Sequence, residues 1–259
     1  MELELTVNGF TDLVSFPEEE IAEVHLPILK QIHKLAKEEY SFIVLFAGPP
    51  GTGKSTITAF WEWLSNQDPN LTPIQALSID GFHYRNNFLL QNSIKRDGQT
   101  LSLMSIKGAP ETYDIQSLNT ALDQLKLGFA TWPFYDRNIH EPIPGAIAVN
   151  ARAIVIEGNW VLHDVPDWRS LRDKANLSIF LEAGESFLRE RLIKRKLRGG
   201  NTKHEVEAHY QRSDKPNIEL VLSGHLPADI TLSWNVVDQV KRISMPGALS
   251  YNYNMEEKC

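Results

Sequence analysis

Apolar and polar residues alternate at the start of the chain. Leu3, Leu5 and Val7 interleave with Glu4 and Thr6, which is a strand pattern. Asn8-Gly9 follows, the sequence of a tight hairpin turn, so Phe10 to Phe16 is expected to return as the second strand. After Pro17 the spacing changes. Ile21, Val24, Ile28, Ile32 and Leu35 recur three or four residues apart, on one face of a helix. Pro27 interrupts that run, because proline lacks the N–H and disfavours helix at the residue before it, Leu26. The pattern admits two forms. One is a single helix kinked at Pro27. The other is a short turn over 18–25 and then a main helix to about Glu39, with Pro27 in its first turn.

Phe42 to Ala47 is apolar throughout, as a buried parallel strand would be. A glycine-rich loop follows, then a helix from about Lys54 to Asn66. Ile74 to Ile79 reads as the next strand. Ile115, Leu118, Leu122 and Leu125 mark one face of a helix over Asp114 to Leu127. Ala153 to Ile156 and Leu177 to Leu181 read as further buried strands. Helices are expected over 185–198 and 203–222, and a last strand near 229–233. Strands alternating with helices imply a parallel sheet covered on both faces, an α/β fold of three layers. No repeat or linker divides the chain. The expectation is one domain over 1–259, with a hairpin and helix at about 2–39 and a loose tail from about Pro246.

The glycine-rich loop carries the first candidate chemistry. Gly48-Pro-Pro-Gly-Thr-Gly53-Lys54-Ser55 fits G-x-x-x-x-G-K-[ST], between a predicted strand and a predicted helix as the motif requires. Glycines let backbone N–H groups curl around phosphate oxygens, and the helix N-terminus adds positive partial charge. Lys54 would reach the β- and γ-phosphates and Ser55 would offer its hydroxyl to Mg²⁺. The nucleotide set is then Gly48, Gly51, Thr52, Gly53, Lys54, Ser55 and Thr56. A GTPase would carry N-K-x-D for guanine, and this chain does not, so ATP is the expected nucleotide.

Two carboxylates stand at strand ends, where ligands sit in open α/β sheets. Ser78-Ile-Asp80-Gly-Phe-His83 places Asp80 toward the γ-phosphate. There it can accept a hydroxyl proton or hold Mg²⁺ through water. Glu157, after Ile154-Val-Ile156, is expected as a direct or water-mediated Mg²⁺ ligand. Between them lie Lys107-Gly-Ala-Pro-Glu-Thr-Tyr-Asp114 and Trp132-Pro-Phe-Tyr135-Asp136-Arg137-Asn-Ile-His140. Both are read as loops whose aromatic and polar groups suit a hydroxylated small molecule. Trp132 alone is better read as core. The acceptor set is Asp80, His83, Lys107, Tyr135, Arg137 and His140.

Charge narrows the field. The 259 residues carry 26 Lys and Arg against 33 Asp and Glu, a net charge of −7, which argues against a nucleic-acid partner. One basic cluster stands out against this. Arg191, Arg195 and Arg198 are spaced i, i+4, i+7, and like charges at that spacing repel, so an anion is the expected partner. A lid over about 185–204 that lays Arg191 and Arg195 on the moving phosphoryl group and Arg198 on the nucleotide, hinged at Gly199-Gly200, would use them. The single cysteine, Cys259, excludes an intrachain disulfide and a cysteine zinc cluster. There is no signal-peptide pattern at the N-terminus and no membrane-length apolar run, so a cytoplasmic location without membrane contact is expected. A homo-oligomer is admitted.

The stretches ELTVNG, PPGTGKST, DGFHY, KGAPETYD, WPFYDRNIH, VIEGNWVL, LRERLIKRKLRGG and DKPN make the chain recognisable. It resembles the uridine kinase, phosphoribulokinase and bacterial pantothenate kinase group of P-loop kinases, over about residues 2–233. Within that group it is similar to the fructose-transport-associated branch. The resemblance implies a P-loop fold with a helical lid and an N-terminal hairpin, and an ATP-dependent, Mg²⁺-requiring kinase acting on a hydroxyl of a small metabolite. It also implies Asp80 as catalytic base, Ser55 and Glu157 around Mg²⁺, and Tyr135, Arg137 and His140 at the acceptor. Two other classes remain: a regulatory P-loop ATPase acting through a protein partner, and a binding module without catalysis. The intact Lys54, Ser55, Asp80 and Glu157 argue against the second of these.

Overall fold

The computed structural model describes residues 1–7, 9–37, 39–96, 98–128, 131–234 and 240–244. Asn8, the tail from Pro246 and Cys259 lie outside the described residues. β1 (Glu2–Val7) and β2 (Phe10–Ser15) form the expected antiparallel hairpin, with Val7 opposite Phe10 and Gly9 at a φ of 81°. α1 (Glu18–Glu20) runs through a π-helical turn, Ile21–His25, into α2 (Leu26–Ala36). The continuous form is therefore the one adopted. The wider turn, in which the Leu26 N–H reaches back to the Ile21 carbonyl, relieves the clash that Pro27 would make in a regular helix.

This helical run is fastened by a buried polar chain. Trp61 Nε1 donates to His25 Nδ1 at 2.9 Å, and His25 Nε2 meets Glu20 Oε1 at 2.9 Å. An indole N–H can only donate, so the His25 proton sits on Nε2, toward the carboxylate.

From β3 (Phe42–Ala47) the chain enters α3 (Lys54–Gln67) and β4 (Ile74–Ser78). The next stretch, to residue 106, gave no element in the sequence. It folds as α4 (Asn86–Gln91) and a small hairpin of β5 (Ser93–Arg96) and β6 (Gln99–Ser102), set on their own apolar cluster of Leu89, Leu103, Ile106 and Ala109. After α5 (Ile115–Lys126) comes a correction. The second expected acceptor loop is the first arm and turn of a hairpin, β7 (Thr131–Asp136) paired with β8 (Glu141–Ala148). Pro133, Pro142 and Pro144 hide its strand character. They are tolerated because the ribbon has only two strands and its register shifts between Trp132 and Phe134.

β9 (Ala153–Gly158), α6 (Pro166–Lys174), β10 (Leu177–Glu182), α7 (Glu185–Arg198), α8 (Lys203–His209), α9 (Lys215–Ser223), β11 (Ile230–Trp234) and β12 (Val240–Ser244) complete the described chain. α6 was not legible as a separate element. The helix expected over 203–222 is interrupted by a second π-helical turn, Tyr210–Asp214, again just before a proline, Pro216.

The sheet runs β12-β11-β10-β3-β9-β4, parallel throughout except for β12. Alternate residues of β3 face opposite layers. Phe42, Val44 and Phe46 pack with Ile28, Phe60 and Trp61, while Ile43, Leu45 and Ala47 pack with Leu118, Leu122 and Leu171. β3 lies between β9 and β10, so the chain leaves it toward one edge and later crosses to the other. A crevice opens at the carboxyl end of β3, which is where ligands bind in such sheets. Among the described residues no helix is long and apolar enough to cross a membrane.

Candidate active site

The loop between β3 and α3 is built for close backbone approach. Gly51 and Gly53 take φ values of 87° and 93°. A Cβ at Gly51 would stand 2.9 Å from Leu192 Cγ, and one at Gly53 would stand 3.2 Å from the Arg191 guanidinium. Both positions therefore require glycine for backbone conformation and for space. Lys54 Nζ is buried in the loop and donates to Gly48 O at 2.8 Å, Pro49 O at 3.1 Å and Asn159 Oδ1 at 2.9 Å. Burial pulls its ammonium down to about 8, against the attraction of Glu157 and Asp80. Thr52 turns inward, its hydroxyl on Pro49 O at 2.9 Å. Thr56 faces a cavity of about 210 Å³ beside the loop, walled by Phe16 of the N-terminal segment, Arg191 and Trp234.

Strand register brings the carboxylates to this end. Glu157 pairs with Phe46 on one side and Ser78 on the other. It is buried, and burial pushes its carboxyl up, offset in part by Lys54. Ser55 Oγ donates to Glu157 Oε1 at 2.9 Å. Hydroxyl and carboxylate oxygens are the ligands a hard divalent cation takes. Among the described residues no cluster of His, Cys, Asp and Glu could hold a metal by itself, so a cation here would need phosphate oxygens and water as well. The donor set therefore fits Mg²⁺ carried with a nucleotide.

Asp80 sits in a 3-10 turn directly after β4, its N–H capped by Ser78 Oγ at 3.2 Å. Arg137 Nη2 donates to Asp80 Oδ2 at 2.8 Å, and the Tyr113 hydroxyl approaches Oδ1 at 3.4 Å. Tyr113 stacks on His83, with ring centroids 3.8 Å apart, and the Tyr135 ring meets His83 edge-on at 5.6 Å. Lys107 Nζ lies 5.2 Å from the Tyr135 ring centre and is held by Asn86 Oδ1 at 2.6 Å and His140 O at 2.9 Å. Burial pushes the Tyr135 hydroxyl up to about 12, helped by Asp80, so it remains a donor at neutral pH.

His83, Lys107, Tyr135 and Arg137 thus gather around Asp80. His140 joins through its backbone carbonyl, at a φ of 54°, while its side chain is exposed. Trp132 is core, as read, with its indole donating to Ser78 O at 2.8 Å. A cavity of about 530 Å³ lies behind Gly81–Tyr84 against α5 and does not include Asp80. The chemistry is at the strand ends, not there.

The arginines of α7 part company. Arg191 lies on the loop at Gly53 and over the Trp234 ring, 5.0 Å from its centre. Arg195 is exposed over the cleft, within electrostatic reach of Arg137, Asp214 and Asp80. Arg198 does not join them. It pairs with Asp12 of β2 at 2.6 Å and lies over Phe10 at 5.5 Å, because one further turn of α7 carries it past the loop to the N-terminal hairpin. Sequence reasoning assigned no role to Asn159 or Tyr113. Both stood inside quoted stretches, but only the fold turns one to Lys54 and the other to Asp80.

His83 supplies a test of the site's burial. A carbonyl only accepts, so its Nδ1, 3.2 Å from Thr112 O, carries the proton. Burial holds the imidazole down at about 4, against an ordinary 6.5. The unfolded chain therefore takes up this proton first as pH falls. The His83 contribution is complete above pH 6.5 and is lost on the way to pH 4. Thermal unfolding against pH is expected to show a shallower acid loss for His83→Phe over that window, by an amount on the order of 1–3 kcal/mol. Parallel curves for variant and wild type would refute it.

No protein-family model matches the chain. It is 42% identical to the uncharacterised Escherichia coli protein YggC over 232 residues, 89% of this chain and 94% of that protein. It is 27% identical to a Streptococcus agalactiae pantothenate kinase over 198 residues, 68% of this chain but only 62% of that enzyme. The crystal structure of a candidate fructose transport system kinase from Silicibacter sp. TM1040 superposes with a TM-score of 0.70 at 31% identity. That match covers 81% of this chain and 98% of that one.

Proposed function

The chain belongs to the P-loop small-molecule kinases, the group of uridine kinase, phosphoribulokinase and pantothenate kinase, and we propose how this member works and on what. It is an ATP-dependent phosphotransferase with an alcohol acceptor. The acceptor is a small hydroxylated metabolite: a sugar, a nucleoside or a pantothenate-like alcohol. The observation that carries this reading is the position of Asp80. It stands in the turn directly after β4, within electrostatic reach of Lys54 in the phosphate loop, with Arg137 and Tyr113 on its carboxylate and His83, Lys107 and Tyr135 around it. A hydroxyl held by these groups would meet a base on one side and a γ-phosphate on the other.

The proposed roles follow from the contacts. The loop N–H groups cradle the phosphates, and the cavity at Thr56, Phe16 and Trp234 takes the base. Lys54 exchanges its loop carbonyls for phosphate oxygens. Ser55 and Glu157 would hold Mg²⁺, which would neutralise phosphate charge when bound. Asp80 takes the acceptor proton and Arg137 orients its carboxylate. Arg191 and Arg195 stabilise charge on the moving phosphoryl group.

The deciding experiment is an ATP-consumption screen over sugars, nucleosides and pantothenate, with mass detection of a product heavier by one phosphoryl group. Hydrolysis of ATP that no acceptor stimulates and a protein does would replace this reading with the regulatory ATPase. Tyr135→Phe is expected to raise the acceptor KM or lower kcat about tenfold, the cost of one lost hydrogen bond to a buried partner, with little change in the ATP KM. His140→Ala is expected to do less, since only its backbone is engaged. Steady-state kinetics with each substrate varied in turn distinguishes these outcomes, and a Tyr135→Phe effect confined to ATP would move Tyr135 to the nucleotide site.

A further inference from the structure

The residue after β9 makes a contact that the roles above leave unused. Lys54 Nζ donates to Gly48 O at 2.8 Å, Pro49 O at 3.1 Å and Asn159 Oδ1 at 2.9 Å, which uses all three of its N–H bonds. An ammonium can only donate, so the amide oxygen is the atom that faces it and Nδ2 is turned elsewhere. Asn159 is half-buried, and its two Nδ2 N–H bonds have no partner among the described residues. The amide is held by a buried cation while its own donors stay unspent.

Strand order says where those donors stand. β9 lies between β3 and β4, with Gly158 opposite Ala47 and Glu157 opposite Ser78. Its end therefore meets the phosphate loop on one side and the Asp80 turn on the other. Gly158 packs on that turn: a Cβ there would stand 2.3 Å from Cγ1 of the fully buried Ile79, the residue before Asp80. Lys54 in turn lies within electrostatic reach of Glu157 and Asp80. Asn159 is thus placed between the ammonium assigned to the phosphates and the carboxylate assigned to the acceptor. The group that passes between those two is the γ-phosphoryl, whose oxygens accept hydrogen bonds.

We propose that Asn159 is a further catalytic residue, one that recognises the γ-phosphoryl group: Oδ1 keeps its bond to Lys54, and Nδ2 donates to a γ-phosphoryl oxygen. This rests on the kinase reading and deepens it. Lys54 gives up its two loop carbonyls but keeps the amide, so ammonium and amide reach the phosphates as a unit. The lysine charge on Oδ1 polarises the amide and strengthens Nδ2 as a donor. Hydrogen bonds to charged oxygens are the strong ones, and a donor already in place needs no reorganisation during transfer. A nucleoside diphosphate lacks that oxygen, so the contact distinguishes a bound triphosphate from a bound diphosphate.

The test titrates wild type, Asn159→Ala and Asn159→Asp in Mg²⁺ with ADP and with the β,γ-imido analogue of ATP, so no acceptor is needed. Asn159→Ala is expected to weaken binding of the analogue about tenfold or more, as for loss of a hydrogen bond to a charged group, and binding of ADP by no more than about twofold. Asn159→Asp keeps the shape and an oxygen for Lys54 but replaces the donor with a negative oxygen. It should lose at least as much affinity for the analogue, and it carries the test alone if Asn159→Ala does not fold. Retained ADP binding shows that the site is folded. Equal losses for ADP and the analogue in either variant overturn the proposal and make Asn159 a positioning residue for Lys54. Analogue binding at wild-type strength in Asn159→Asp also overturns it, since that variant keeps only the lysine contact. Unchanged affinities in both variants overturn it and leave the kinase reading intact. Wild type that binds neither nucleotide overturns both.

Discussion

Lys54→Ala is expected to abolish phosphoryl transfer while leaving the fold in place. The ammonium is drawn into the loop itself, where it bridges Gly48 O, Pro49 O and Asn159 Oδ1. Those partners hold it at the point where phosphate charge must be neutralised. The ammonium is buried there, and Leu192 and Arg191 pack against the loop glycines beside it. Loss of one preorganised positive contact at a transferring group costs about 10²–10³-fold in rate, and loss of its binding to the ground-state phosphates lowers kcat/KM further. The fold should survive because the sheet and both its apolar layers lie beneath the loop and do not include Lys54. Circular dichroism and the melting temperature check that point, and product mass with the screened acceptor checks the other. A folded variant with near wild-type turnover would falsify the assignment.

How far the sequence carries this picture depends on what kind of signal each part leaves. The loop is fully legible. Glycines at fixed offsets, a lysine and a serine act through backbone geometry and local charge, so their spacing alone specifies the structure, and φ values near 90° at Gly51 and Gly53 follow. The buried strands are legible because Phe42–Ala47 and Ala153–Gly158 are covered on both faces. Other elements leave an ambiguous signal. Three prolines masked the β7–β8 hairpin, since proline argues against a strand unless the ribbon is narrow and bulged. The π-helical turns at Ile21–His25 and Tyr210–Asp214 left no pattern beyond a proline that a regular helix would reject. Arg198 was misread for a different reason. Helical spacing places it on the face of Arg191 and Arg195, but a face does not specify reach, and at its level the neighbour is Asp12 rather than the phosphate loop.

Asp80→Asn is expected to lower kcat by about 10²–10⁴-fold, with ATP affinity changed far less. The amide keeps the shape of the side chain. Its oxygen can still accept from Arg137, and its nitrogen can face the Tyr113 hydroxyl as a donor. The Ser78 cap on the Asp80 N–H is a backbone contact and is untouched, so the turn after β4 should hold. What the amide cannot do is take a proton from an attacking hydroxyl, and that step contributes only when the acceptor reacts. The loss should therefore appear in turnover of the acceptor and not in nucleotide binding, which is the work of the loop and of Lys54. Arg137 sharpens the test. Its guanidinium pairs with the carboxylate, so Arg137→Ala frees Asp80 without removing it, and should lower kcat less than Asp80→Asn does while leaving the base in place. Nucleotide affinity by fluorescence titration, kcat with saturating acceptor, and the Mg²⁺ concentration for half-maximal rate separate the alternatives. If turnover at saturating Mg²⁺ is intact and only the Mg²⁺ requirement rises, Asp80 holds the cation through water, and the proton leaves the acceptor by another route.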